Sequence, residues 1–179
     1  ANSSTPHSFR TCGSDVYFVA DDGSHGNELW VTGGTADTTQ LAADINPGAD
    51  GSGILEMACV NSRLFVLASS TPSGNDELWL YDPAANPTSR LLKGSWNCTL
   101  LPYACGPQTN TFREVGGLLL FAAGDNAGVE LWKSDGTPEG TVMVKDLWPG
   151  LGDSAGWPYP FSSDPYSMAV KDGKLYFRA

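Results

Sequence analysis

The chain has 179 residues, a formal net charge of -10 and a pI near 4.4. Its 41% hydrophobic and 17% charged content is enough for a packed core and unlike that of a disordered segment, while the acid excess argues against nucleic acid, whose backbone is gripped by clustered Lys and Arg. No run reaches the roughly 20 apolar residues that cross a bilayer, so no membrane insertion is expected, and 21 glycines with 12 prolines cut the apolar runs into short pieces, a pattern of many brief strands.

In chain order, a first strand at Ser8–Thr11 leads to an apolar segment, Val16–Ala20, then to Glu28-Leu29-Trp30 and to Gln40–Ile45 after a Gly-Thr turn. The cycle recurs with Leu64–Ala68, Glu77-Leu78-Trp79 and Ser89–Leu92, and again with Leu118–Ala123, Glu130-Leu131-Trp132 and Thr141–Leu147. A final pair follows, Tyr166–Val170 and Leu175–Ala179, around Asp172-Gly173, a strong hairpin signal. The Glu-Leu-Trp copies are spaced by 49 and 53 residues, and four strands in about 50 residues match one blade of a β-propeller. The expected fold is all-β: a propeller of four-stranded antiparallel blades, with repeats at roughly 8–53, 54–110 and 111–165 and a partial one at 166–179. That count, about three and a half blades, predicts either a fragment of a longer polypeptide or completion by another copy, the fragment being simpler.

The first and third copies align without a gap from Glu28 to Ser52 and from Glu130 to Ser154, so that Asp44 meets Asp146 and Pro47-Gly48 meets Pro149-Gly150. The run Glu130-Leu131-Trp132-Lys133-Ser134-Asp135-Gly136-Thr137, with Gly140-Thr141, Val144-Lys145-Asp146 and Pro149-Gly150, resembles the ELWxxDGT repeat family. The resemblance implies a propeller-like array in a large secreted or surface protein of bacteria or algae, with no catalytic residue or cofactor to transfer. The sequence departs from it at Gly33, where the third copy has Asp135, and throughout the second turn, Tyr81–Pro87.

Trp30, Trp79 and Trp132 are expected to pack between blades, and Glu28, Glu77 and Glu130 to accept backbone hydrogen bonds from a loop. The loop Asp21–Asn27 offers oxygens to calcium, yet it lacks the Asp-x-Asp-x-Asp-Gly spacing and closing glutamate of a calcium loop, so no cofactor is expected. His25 beside Ser24 lacks a G-x-S-x-G elbow and a third partner, and the chain reads as non-enzymatic. The segment Trp148–Tyr166 is dense in aromatics and proline. Its Trp157, Tyr159, Phe161 and Tyr166 either lie over a sheet edge or form an exposed platform for a glycan or partner protein.

Cys12, Cys59, Cys98 and Cys105 match no zinc spacing and suit disulfides. Cys12 and Cys59 each lie six residues before the phenylalanine of their repeat, which places them at equivalent positions on adjacent blades. Of three connectivities, Cys12–Cys59 with Cys98–Cys105 is favoured because it makes one inter-blade tie and one local closure. Two N-glycosylation sequons, at Asn2 and Asn97, join the cysteines in pointing to an extracellular compartment. The expected function is an extracellular structural or adhesive module of a larger cell-surface or matrix glycoprotein, part of a filament being one form of it, with other copies or other parts of the parent as partners. The alternatives are a carbohydrate-binding propeller and, behind it, a glycoside-active enzyme.

Overall fold

The structure, a computed structural model, describes residues 3–71, 76–85, 89–100, 105–154 and 156–179, without the side chains of Ser154 and Trp157. It is all-β and antiparallel, and among the described residues the one helical piece is a 3-10 turn at Ala36–Thr38. The chain parts into two compact units, Ala1–Leu91 and Leu92–Ala179.

The first sheet is a meander of β1 (His7–Cys12), β2 (Asp15–Asp21), β3 (Asn27–Thr32) and β4 (Gln40–Ala43). The second repeats it with β5 (Glu56–Val60), β6 (Arg63–Ala68), β7 (Glu77–Tyr81) and β8 (Ser89–Lys93). In each, the Glu-Leu-Trp strand pairs with the apolar strand before it, through Ala20↔Glu28 in one and Ala68↔Glu77 in the other. Side chains alternate faces along a strand. The set Tyr17, Val19, Leu29 and Val31 of the first sheet meets Met57, Leu64, Val66 and Ala68 of the second in one buried cluster, against which Trp79 packs. Trp30 lies on the opposite face, beside the stacked pair Phe9 and Phe18, and is half-buried.

Cys12 and Cys59 are bonded across this cluster, with Cα atoms 5.3 Å apart. The expectation that they hold equivalent places is corrected by the register. Cys12 pairs with Asp15, whereas it is Val60 that pairs with the equivalent Arg63, and Cys59 sits one residue earlier, opposite Leu64. Equivalent residues of two stacked sheets point the same way and cannot meet. A one-residue slip turns a side chain to the other face, and that slip lets Cys59 look back at Cys12.

In the second unit, β10 (Arg113–Val115), β11 (Leu118–Asp125), β12 (Gly128–Ser134) and β13 (Val142–Lys145) form the third meander, and β9 (Gly106–Pro107) pairs with the far end of β11. Ala122, Val129 and Leu131 on one face pack against Met168, Leu175 and Phe177 of a hairpin, β16 (Tyr166–Lys171) and β17 (Lys174–Arg178). The hairpin turns on Asp172 and Gly173, both with φ above +50°, as a two-residue primed turn requires. Trp96 is buried edge-on against Phe121 and Trp132, with the Lys93 ammonium 5.2 Å from both indoles.

The gap-free match of first and third copies is also corrected by the structure. It holds through Gly48 and Gly150, both at φ +125°, and then fails, because Leu151–Pro160 folds out as a separate hairpin of β14 (Leu151–Ser154) and β15 (Trp157–Pro160). The chain resumes at Phe161, whose amide donates to the Gly150 carbonyl at 3.1 Å. Asp164 N donating to Val129 O then takes the place of Ser52 N donating to Asn27 O, so Asp164, not Ser154, is the counterpart of Ser52.

Candidate functional site

Glu28 and Glu130 are fully buried on their Glu-Leu-Trp strands. Glu28 accepts from the amides of Ile45 and Asn46, at 2.9 and 3.2 Å, and from the Ser52 hydroxyl. Glu130 accepts from the amides of Leu147 and Ser163, at 3.1 and 2.9 Å, and from the Ser163 hydroxyl at 2.5 Å. Each carboxylate thus binds the loop that leaves its sheet and the segment that enters the next one. Loss of solvent pushes the Glu28 carboxyl above its ordinary value, and the donated bonds work against that shift.

Glu77 is wired differently. It accepts from the Ser70 amide and hydroxyl and, at 2.9 Å, from the indole of Trp79 two residues along its own strand. Its exposure is intermediate.

The turns after Trp30 and Trp132 keep one bond in common, Thr32 Oγ1 to Thr39 Oγ1 and Ser134 Oγ to Thr141 Oγ1, each 2.7 Å. Asp135 holds the third-copy turn by accepting from the Thr137 amide and hydroxyl. Where the first copy has Gly33, the Thr38 hydroxyl takes over and accepts from the Gly33 and Thr35 amides.

In the loop considered for calcium, Asp21 accepts from the Gly23 amide, and Asp22 from the amides of Ser24 and His25. Asp22 also meets His25 Nδ1 at 2.8 Å. That bond and the two amides hold the Asp22 carboxyl down at about 2, and the same bond raises the His25 imidazole. Both carboxylates therefore act as loop caps. Among the described residues no three His, Cys, Asp or Glu side chains gather as a metal site.

The aromatic segment divides into two places. Phe161 lies between Trp148, stacked on it at 5.1 Å and 19°, and Tyr159, edge-on at 6.2 Å. Trp148 is 58% and Tyr159 42% exposed. Tyr159 covers Gly152 so closely that a Cβ there would sit 2.5 Å from the ring. Tyr166 stands apart on β16, under the Arg178 guanidinium at 5.3 Å. Trp157 belongs to β15 by its backbone, and its side chain lies outside the described residues. The sequence reading passed over Trp148 as a contact residue. The sequence shows only that Trp148 stands where the first copy has Asn46; the structure adds that the Asn46 side chain is buried and donates to Gly51 O at 2.6 Å to close the shorter loop.

Cys98 and Cys105 are bonded, with Cα atoms 5.6 Å apart, so that four cysteines form two disulfides and point to an oxidising compartment. No helix among the described residues is long and apolar enough to cross a membrane. Asn97, beside the second disulfide, is exposed, with a left-handed backbone at φ +52°. Asn2 lies outside the described residues. No family model, curated protein or solved structure matches the chain.

Proposed function

We propose that this chain is a stretch of an extracellular, repeat-built β-propeller whose work is structural or adhesive, within a larger surface or matrix glycoprotein. The observation that supports this best is the stacking of the first two four-stranded meanders face to face with a disulfide between them. Radially stacked four-stranded sheets are how a propeller limits its open edges, and a covalent tie between sheets suits a protein that works outside the cell. The resemblance to the ELWxxDGT family supports the same reading, with other copies or other parts of the parent protein as neighbours. Intact mass and non-reduced peptide mapping of native material test it. A longer parent chain with both disulfides and N-linked sugar is expected, whereas a fully reduced, unglycosylated protein of only these residues sinks the proposal.

A second reading, carbohydrate binding, draws on the exposure of Trp148 and Tyr159 at an insertion that the first repeat lacks. Exposed aromatic faces offer stacking area at low entropic cost. A glycan array probed with the chain and with its Trp148→Ala, Tyr159→Ala variant separates the readings: binding that disappears in the variant favours this one, and an array without signal removes it.

A further inference from the structure

We propose that Asn97 is an N-glycan acceptor that can be modified only before Cys98 bonds to Cys105, so that closure of the disulfide sets a deadline for the modification. The biological occasion rests on the secreted reading above; the geometry does not.

Asn97-Cys98-Thr99 is a complete sequon, and in the folded chain all three positions are held. Asn97 takes a left-handed backbone after Trp96, which is 2% exposed. Cys98 is tied to Cys105, seven residues on. Thr99 donates both its amide and its hydroxyl to Asn126 Oδ1, at 2.8 and 3.1 Å, and the Leu100 amide joins the same oxygen at 3.1 Å. A sequon is read through the hydroxyl two residues after the asparagine, on a chain free to enter the enzyme's groove. Here that hydroxyl is engaged and the chain around it is closed into a small ring. The product meets no such obstacle, because Asn97 itself is exposed and a glycan already attached extends into solvent. The folded state thus accepts the product and withholds the reactant, which fixes the order of events.

Both steps balance with co-reactants of the secretory pathway. Asn97 Nδ2 attacks the anomeric carbon of a lipid-linked oligosaccharyl diphosphate; the C–N bond forms, the C–O bond to the diphosphate breaks, the lipid diphosphate leaves and the amide proton passes to a base. The two thiols then give two electrons and two protons to a protein disulfide oxidant, which becomes a dithiol.

The test uses purified, oxidised, unglycosylated chain incubated with an oligosaccharyltransferase and a lipid-linked oligosaccharide, with occupancy read by peptide mass mapping. Native chain is expected to stay unmodified at Asn97, and the Cys98→Ala, Cys105→Ala variant, which keeps the sequon as Asn-Ala-Thr, to be modified at least tenfold faster. Cys12→Ala, Cys59→Ala loosens the other unit while leaving the small ring closed, and is expected to behave as native. That arm separates local release from general unfolding. Asn126→Ala frees the Thr99 hydroxyl but not the ring and is expected to fall between. Equal transfer to native chain and to the Cys98/Cys105 variant overturns the proposal, as does no transfer to that variant. So does a Cys12/Cys59 variant modified as fast as it. Since every arm starts from purified protein, these outcomes leave the extracellular reading to its own test.

Discussion

The first and third Glu-Leu-Trp strands use a buried glutamate to hold the backbone downstream, whereas the second turns its glutamate back on its own tryptophan and on the loop before it. The same three residues therefore support two circuits. In the first, one carboxylate joins the end of one sheet to the approach to the next; in the second, it steadies its own strand and the loop that leads into it. The difference shows that a repeated motif fixes the strand and its pairing, while the segment that brings donors to it, downstream in two copies and upstream in one, decides what its polar residue serves.

Substitution of the glutamates separates the two circuits most directly. Glu28→Ala and Glu130→Ala each strand several buried donors and are expected to cost about 3 kcal/mol, against about 1 kcal/mol for Glu77→Ala; urea unfolding of the three variants reads the ranking. Equal losses would mean that the two circuits are energetically the same. Next in size is Gly128→Ala, expected to cost about 2 kcal/mol. Gly128 has φ +102°, and a Cβ there would sit against the carbonyl of Phe161; Gly26, at φ +68°, meets Ala49 and Gly51 in the same way. The two alanine variants should lose similar amounts of stability, because both glycines admit the returning segment.

Excising Leu151–Pro160 and joining Gly150 to Phe161 is expected to change stability by less than about 1 kcal/mol. The Gly150–Phe161 bond already brings those ends together, and the Glu130–Ser163 bonds lie outside the excised piece. A thermal melt that falls by many degrees would show that the hairpin is part of the core. The smallest effect concerns the Asp22–His25 pair, which the loop at Asp125–Gly128 lacks. The Asp22 contribution is present above its ordinary value of 3.8 and is lost as pH falls through about 2. The His25 contribution is present below its ordinary 6.5 and is lost as pH rises through the raised value. Histidine NMR should show His25 titrating above the ordinary value, and Asp22→Asn should bring it back down.

Much of the scaffold was legible in the sequence because the repeat superimposes three independent readings of each strand. Ala20, Ala68 and Ala123 all pair with the glutamate of their copy, as the repeated segments imply. The glutamates' work was legible too, since a carboxylate beside core residues needs donors. What escaped was phase and insertion. Phenylalanine spacing placed Cys59 one residue away from its true equivalence, because Phe65 is itself shifted and Val66 holds the position of Phe18. The hairpin escaped because Leu151-Gly152-Asp153-Ser154 matches the length and turn chemistry of Ala49-Asp50-Gly51-Ser52, and only long-range hydrogen bonds reveal that the chain has left the sheet and returned.

The slip of one residue at Cys59 also has a mechanical side. The bond joins positions 47 residues apart, a length that would stretch to about 160 Å if fully drawn out. Under tension along the chain, that stored length stays locked however far the two sheets are pulled open, and only a reductant releases it. The redox chemistry of its surroundings therefore sets how far this stretch of chain can be drawn out: oxidising conditions cap its extension, and reducing ones lift the cap.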